Sequence, residues 1–503
     1  MNKINDLLIE FNNLNLLKGD KNFEISYIQS DSRKLKTSDI FCLYSYFTVE
    51  EKRKFIQNSI ENNCKIILVN KNDINLIPDD FPNVLEIDFQ PELIHGKIAS
   101  FLKESPSKSL KIIAVTGTNG KTSLTNIIYQ FLEFYGLKVG LIGTINIKFG
   151  NKTLSSDYTT PDPSGLNEIL FSMKEEGIEY VCMEASSHGL KLGRMEGIQI
   201  YQAIFTNLTP DHLDFHTDMK DYLQSKFRLF SLLEESKIPG KVGILSKDSE
   251  GGKDMINLIH QNSISSTIVK FGENDDYSGK LKSLSLSETS FEFIDKNKEK
   301  HLLNTNLLGD FNFINLSLAL VSILEIFPHI KMDYWKQKIS NLSPIPGRFE
   351  IVNGKDKDKI AIVDYAHTPD ALENILKSIS EIPRNKLITL FGCGGDRDRK
   401  KRPLMAEIAS RYSDFVIVTS DNPRTEDPDK IIDEITIGIT KDEKNWIRIV
   451  DRKEAIKKGI DMLPKGGILL VAGKGHEDYQ ILGTKKIYFS DQAEIKSAFQ
   501  EIN

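Results

Sequence analysis

The sequence predicts an α/β chain of three domains, and three observations carry that prediction. A strand-like apolar run, Ile112 to Val115, ends in the turn Thr116-Gly117-Thr118-Asn119-Gly120-Lys121-Thr122, after which apolar residues recur at helical spacing. Four later strand-like runs each lead straight into a polar motif. At 503 residues the chain is too long for one hydrophobic core. Composition breaks near Phe89-Gln90-Pro91 and at Ser343-Pro344-Ile345-Pro346-Gly347 divide it into 1–90, 91–343 and 344–503.

In chain order, the first segment has a charged helix-like stretch, Val49 to Glu61, before the buried-strand run Lys65-Ile66-Ile67-Leu68-Val69. This reads as a small α/β domain. From about 110 to 230 strands and helices alternate, as a mostly parallel sheet requires. Helical spacing at Leu124, Ile127, Ile128, Phe131, Leu132 and Tyr135 makes the first unit strand, loop, helix. Tyr180–Met183 and Ala203–Phe205 are further strands. Between about 265 and 300, Leu281, Ser283 and Ser285 alternate with Lys282, Leu284 and Leu286, an antiparallel excursion expected on the edge of the central domain. A helix from Asn312 to Phe327 follows.

The third segment carries the runs Ile360–Val363, Leu387–Phe391, Phe415–Thr419 and Ile468–Val471. They end in Asp364-Tyr365-Ala366-His367, Gly392 to Arg397, Ser420 to Arg424, and Gly473-Lys474-Gly475-His476-Glu477. Open parallel sheets bind ligands at the carboxyl ends of their strands, so these motifs predict one site. Thr368 as N-cap and Pro369 in the first turn start a helix over Asp370–Ile379.

The central loop is a phosphate cradle: successive N–H groups and a helix N-terminus favour an anion, Lys121 reaches the outer phosphates and Thr122 offers a hydroxyl to Mg²⁺. Val115 stands where the general pattern has its outer glycine, so this is a shortened variant. Glu184 closes a neighbouring strand, where a carboxylate suits Mg²⁺. Ser186-Ser187-His188 follows it in the same crevice. Asn207 to His216, with Asp211, His212 and Asp214, reads alone as a solvated turn and beside Glu184 as a second metal position. Lys226, on a helix from Met219 to Leu232, reads from spacing alone as a surface lysine. Arg397 and Arg424 at two strand ends suit a substrate with more than one carboxylate, and Glu477 suits an ammonium.

Hydrophobic content of 40% and charge of 27% are those of a soluble protein, and a net charge of −6 gives no general attraction to nucleic acid or anionic membrane. Cys42, Cys64, Cys182 and Cys393 have no metal-ligand spacing and read as buried free thiols. With no signal-like segment and no apolar run of membrane-spanning length, a cytoplasmic protein is expected.

With these residues assembled, the chain resembles the Mur ligases of peptidoglycan synthesis, most of all the branch that adds the third amino acid. The motifs are Asp31-Ser32-Arg33, Thr116–Thr122, Thr159-Thr160-Pro161-Asp162, Glu184–His188, Asn207–His216, Phe311-Asn312, Gly347-Arg348-Phe349 and the four C-terminal strand ends. The resemblance implies a nucleotide-sugar domain, a central P-loop-type ATPase domain and a Rossmann-like C-terminal domain. It implies ATP-driven joining of meso-diaminopimelate to UDP-MurNAc-L-Ala-D-Glu through an acyl phosphate, by a monomer.

Residue by residue, the resemblance gives ATP to Gly117, Thr118, Asn119, Gly120, Lys121, Thr122, Asn312, Arg348 and Asp364. Mg²⁺ falls to Thr122, Glu184 and His212, with Lys226 carbamylated by CO₂. UDP-MurNAc-dipeptide falls to Ser32, Thr159, Thr160, Ser186 and Arg194. Diaminopimelate falls to Arg397, Asp421, Asn422, Pro423, Arg424, Gly473 and Glu477. The arginine marks diaminopimelate rather than L-lysine, because only the former has a second carboxylate to clamp. Two stretches depart from the family: Cys42 to Lys52 lacks the usual Asp-Gly loop, and Leu192 replaces a common glutamine. The alternatives are a lysine-adding relative, which Arg424 opposes; a folylpolyglutamate synthetase, which leaves the first domain unexplained; and a regulatory module without catalysis, which the joint presence of Lys121, Glu184, His212 and Lys226 opposes.

Overall fold

The computed structural model describes residues 2–156, 158–354, 359–439 and 445–501. By contacts they form two units: Met1–Gly117, Ile128–Thr206 and Thr217–Val269 in one, Thr118–Ile127, Asn207–His216 and Lys270–Asn503 in the other.

In the first unit, five strands form a sheet in the order Asn15–Lys18, Asn83–Ile87, Ile66–Asn70, Asp39–Cys42, Tyr27–Gln29, parallel except for the first pair. The helix Val49–Glu61 forms as expected, begun by a capping box in which Thr48 and Glu51 exchange hydrogen bonds. The helix Glu92–Leu102, beyond the composition break, buries Ile94, Ile98, Ala99 and Leu102 in the same core as Ile28, Ile66 and Leu85.

The central sheet has eight strands, and its parallel heart sets Tyr180–Glu184, Lys111–Thr116, Gln202–Phe205 and Val242–Ser246 side by side. These strands are almost wholly buried and rich in Ile, Val and Ala, as a sheet covered on both faces requires. Register decides what they present. Glu184 pairs with Val115 and Phe205 with Thr116, so the three strands end level with one another. An antiparallel hairpin, Ile147–Phe149 and Lys152–Leu154, closes one edge.

In the second unit, the stretch expected at the edge of the central domain is a separate three-stranded antiparallel sheet, Ser278–Leu284, Thr289–Ile294 and Lys300–Thr305. A register shift between Leu281 and Ser283 interrupts the two-residue alternation. Phe291 and Phe293 are both buried, the Phe291 ring 5.2 Å from that of Phe313 and the Phe293 ring stacked 6.5 Å from that of Phe271, which ends the edge strand Thr267–Phe271 of the central sheet. Phe313 lies on the helix Asp310–Ile326. The final sheet has six strands ordered Glu350–Asn353, Lys359–Asp364, Gly467–Ala472, Lys386–Phe391, Phe415–Val418, Trp446–Arg448, parallel except for the first pair. Thr368 caps the helix Pro369–Ser380 through Ala371 N–H, as its sequence predicts. All four cysteines are buried free thiols. Among the described residues no helix is long and apolar enough to cross a membrane.

One buried polar chain in the first unit has a consequence for stability. Ser164 donates its hydroxyl proton to Ile28 O, so His95 Nε2–H donates to Ser164 Oγ at 2.7 Å. His95 Nδ1 then accepts from Tyr44 O–H at 2.7 Å. Burial pushes the His95 pKa down from 6.5 to about 4, because an imidazolium there is desolvated. The unfolded chain therefore takes the extra proton first. This contribution to stability is complete above pH 6.5 and is lost as the pH falls toward 4. Urea midpoints measured from pH 7 to pH 4 should drop in wild type, and His95→Gln should lower the midpoint at pH 7 while flattening the slope.

Candidate active site

The phosphate loop is built by short-range rules and then pinned. Lys111–Thr116 delivers the chain into it and the helix Lys121–Phe134 carries it away. Gly120 has φ of 86°, and a Cβ there would lie 2.4 Å from Asn315 Oδ1, so only glycine fits both the turn and the approach. Thr118 N–H donates to Asn207 O at 3.0 Å and Asn119 N–H to Asn207 Oδ1 at 2.9 Å. Lys121 Nζ donates back to Thr118 O at 2.8 Å, and Thr122 Oγ1 accepts from Arg348 Nη2 at 3.1 Å. Arg348 also lies over the Tyr365 ring, 4.7 Å from its centroid.

Close to that loop, Asp211 and His212 approach to 3.4 Å, and His212 has φ of 54°. Burial pushes the Asp211 pKa up, but His212, His367 and Lys121 outweigh it and hold the carboxyl below its usual range. Burial, then Lys401, depresses His367 to about 4, so it is neutral at pH 7. Asn312 Nδ2 donates to Leu308 O at 2.7 Å, and its Oδ1 accepts from Asn315 at 3.4 Å. Asp364 accepts from Phe349 N–H at 2.7 Å and Ala366 N–H at 2.8 Å and thereby fixes the Gly347–Phe349 turn. Its pKa is raised by burial, against the pull of Arg348.

In the first unit, Glu184 is 1% exposed, held by Thr144 N–H at 2.8 Å and Thr144 Oγ1 at 3.1 Å. Lys226 is not the surface lysine its spacing suggests. It is 1% exposed, donates to Gly117 O at 2.8 Å and sits 4.1 Å above the Tyr222 ring. Thr160 Oγ1 bonds Glu184 O at 2.9 Å and contacts Ser186 Oγ at 3.1 Å, while Thr159 Oγ1 meets Thr144 Oγ1 at 3.0 Å. Arg194 donates to Thr160 O at 2.8 Å and lies over the exposed Tyr158 ring. Ser32 is buried, its carbonyl accepting from Asn62. The glycine-free stretch Cys42 to Lys52 folds as an aromatic corner: the Tyr46 ring lies 4.7 Å from Phe47, and Ser45 N–H donates to Glu92 at 3.0 Å.

The four C-terminal motifs do meet, because Asp364 pairs with Ala472, Phe391 also pairs with Ala472, and Phe391 pairs on its other side with Val418. A Cβ added at Gly394 would lie 2.8 Å from Arg424 Nη1 and 3.7 Å from Arg397 Cγ, so both arginines flank one turn. The Arg424 side chain donates from Nη1 to Gly395 O at 2.7 Å and Asn422 O at 3.5 Å, and among the described residues its Nε–Nη2 edge makes no hydrogen bond. Arg397 lines an open cleft with Asp214, Asp396, Asp398, Arg399 and Glu426. Gly473 N–H donates to Asp364 O at 3.0 Å, and Pro423 carries the chain from Asn422 to Arg424.

Sequence reasoning missed Lys474. It is fully buried, with Nζ 3.2 Å from Glu477 Oε2, 3.4 Å from Asn422 Oδ1 and 3.7 Å from Asp421 Oδ1. Glu477, expected to receive a ligand ammonium, thus already receives an internal one, together with Asn422 Nδ2 at 2.9 Å. A lysine between two glycines carries no signal of burial. Asn315 was missed as well, although its i, i+3 spacing from Asn312 places both on one helix face.

Residues 115–323 match a family model described as the Mur ligase middle domain, and residues 347–475 one described as the Mur ligase, glutamate ligase domain. The UDP-N-acetylmuramoyl-L-alanyl-D-glutamate--2,6-diaminopimelate ligase of Leptospira interrogans is 47% identical over 511 residues, covering 99% of each chain. The protein of that name from Clostridium tetani is 39% identical, covering 97% of each. A solved ligase of the same name matches with a TM-score of 0.65 at 31% identity over 95% of each chain. Folylpolyglutamate synthase of Mycobacterium tuberculosis, solved with ADP and AMPPCP, matches with a TM-score of 0.61 over 76% of this chain and 92% of its own. At 15% identity that likeness is one of fold.

Removing the buried ammonium tests the C-terminal cluster directly. Lys474→Met should destabilise the protein by about 3–5 kcal/mol in urea unfolding at pH 7, since it leaves buried carboxylates without their cation.

Proposed function

The chain belongs to the Mur ligase family, and from that premise we propose that it joins meso-diaminopimelate to UDP-MurNAc-L-Ala-D-Glu at the expense of ATP, in the cytoplasm, as a monomer. The observation that carries the amino-acid choice is Arg424, pinned through Nη1 with its bidentate edge left for a carboxylate. L-Lysine has no second carboxylate to place there. Near-full-length identity to ligases named for diaminopimelate supports the same reading. In this reading 1–90 takes the uridine nucleotide, 91–343 the ATP and 344–503 the amino acid.

The reaction needs phosphoryl transfer to the terminal D-Glu carboxylate, then attack of an amine on the acyl phosphate with loss of phosphate. Little covalent chemistry falls to the protein; charge neutralisation and positioning do the rest. The loop Gly117 to Thr122 receives the phosphates, with Thr118 and Asn119 N–H holding its shape on Asn207, and Lys121 leaves Thr118 O to neutralise the transferred group. Arg348 adds a second cation beside Thr122. Asn312 and Asp364 shape the adenosine side. Ser32, Thr159, Thr160, Ser186 and Arg194 hold the nucleotide-sugar dipeptide. Arg397, Asp421, Asn422, Pro423, Gly473 and Glu477 frame the diaminopimelate.

The oxygen donors Thr122 and Glu184 suit Mg²⁺, with His212 at a second position; the ion supplies neutralisation of phosphate charge. Lys226 as an ammonium would repel that ion, whereas a carbamate formed with CO₂ would offer it anionic oxygens. The burial of Lys226 against Gly117 O and the Tyr222 ring supports a role at the phosphate loop.

Phosphate release should require ATP, Mg²⁺, UDP-MurNAc-L-Ala-D-Glu and meso-diaminopimelate, and release with L-lysine instead would overturn the specificity. Arg424→Lys should lose about 2–5 kcal/mol in kcat/KM for diaminopimelate. Lys226→Ala should be nearly inactive and regain activity with small carboxylic acids; full activity without them would remove the carbamate.

A further inference from the structure

One carboxylate oxygen joins three stretches of chain that are remote in sequence. Asp370 Oδ2 accepts from Asn119 Nδ2 at 2.7 Å, from Thr209 Oγ1 at 2.8 Å and from Asn374 Nδ2 at 3.2 Å. Asn119 belongs to the phosphate loop, Thr209 to the loop that carries Asp211 and His212, and Asp370 to the first turn of Pro369–Ser380.

Local structure does not require this acid. The helix already has its N-cap in Thr368, which accepts from Ala371 N–H. Asp370 has no cation within ion-pair distance among the described residues, so its bonds are to neutral donors. Bonds to an ionised acceptor are stronger than neutral ones, and a helix N-terminus favours the charge. The two loops it holds are also joined to each other. Thr209 N–H donates to Thr118 Oγ1 at 3.0 Å, and Asn119 Nδ2 lies 3.4 Å from Thr209 Oγ1. Asn119 immediately precedes Gly120-Lys121, and Thr209 stands two residues before Asp211.

We infer that Asp370 is a positioning residue: it latches the phosphate loop and the 207–216 loop to the amino-acid-binding segment, so that both loops are set for ATP together. The inference rests on the ATP-dependent ligase reading. It adds a direction to it, because a latch shared by two ligand sites couples their affinities reciprocally.

The test is a double-mutant cycle read as KM for ATP, with kcat determined separately. Asp370→Ala and Thr209→Val should each raise that KM by about tenfold or more, the scale of one charge-assisted hydrogen bond. The double variant should be no worse than the worse single one, because both remove the same contact. Thr209→Ser, which keeps the hydroxyl, should stay near wild type. A merely structural role would lower kcat and thermal stability with KM unchanged, and that result would overturn the latch, as would effects that multiply. Titration with MgADP alone separates the two readings. Wild type that fails to bind ADP overturns the ligase reading and the latch with it, whereas wild type and Asp370→Ala binding ADP equally well overturn the latch alone.

Discussion

The register of three parallel strands governs the phosphate-loop edge of the central sheet. Val115 opposite Glu184 and Thr116 opposite Phe205 bring three chain reversals to one edge of the central sheet. A parallel ladder spaces its hydrogen bonds evenly, and a slip by one residue would turn every side chain to the other face. Glu184 would then leave Thr144. The same constraint recurs in the six-stranded sheet, where Asp364, Phe391 and Ala472 end level and their motifs converge. Polar groups gather at these edges because the strand interiors are apolar and sealed on both faces.

Charge buried beside these edges is handled by pairing. Arg452 and Asp491 are both fully buried and form a two-bond pair at 2.8 Å. Arg402 is equally buried and shared between Glu426 and Glu434. Lys474 serves Asp421 and Glu477, and Lys226 has a carbonyl and an aromatic face. Desolvating such groups costs several kcal/mol each, so their retention argues for positioning rather than stability. Arg402 illustrates it: one of its nitrogens donates to Gly394 O, the residue that Arg397 and Arg424 flank.

Much was legible in the chain alone where the physics is local. The charged stretch Val49 to Glu61 forms a helix with those bounds, and the structure shows it begun by the Thr48–Glu51 capping box. Ile360–Val363 and Ile468–Val471 are apolar runs that only a covered strand explains, and each strand exceeds the expectation by one residue at either end. The alternation after residue 265 identified antiparallel strands, and Phe293 stacks on Phe271 of the central sheet's edge strand; what alternation does not say is that the strands form a three-stranded sheet of their own. Lys226 misled when read by spacing alone, since helical spacing says nothing of what lies opposite a helix face.

The sequence by itself determined the elements, the phosphate loop and the strand-end motifs, because caps, glycine turns and apolar periods act over a few residues. The family resemblance rested on the same short motifs, and the comparisons bear it out. Tertiary structure decided the pairings between residues dozens to hundreds of positions apart. It buried Lys474 among Asp421, Asn422 and Glu477, turned Arg424 so that one edge is anchored, and set Asp370 against Asn119 and Thr209. Such contacts depend on strand register and sheet order, and no local pattern in the chain encodes either.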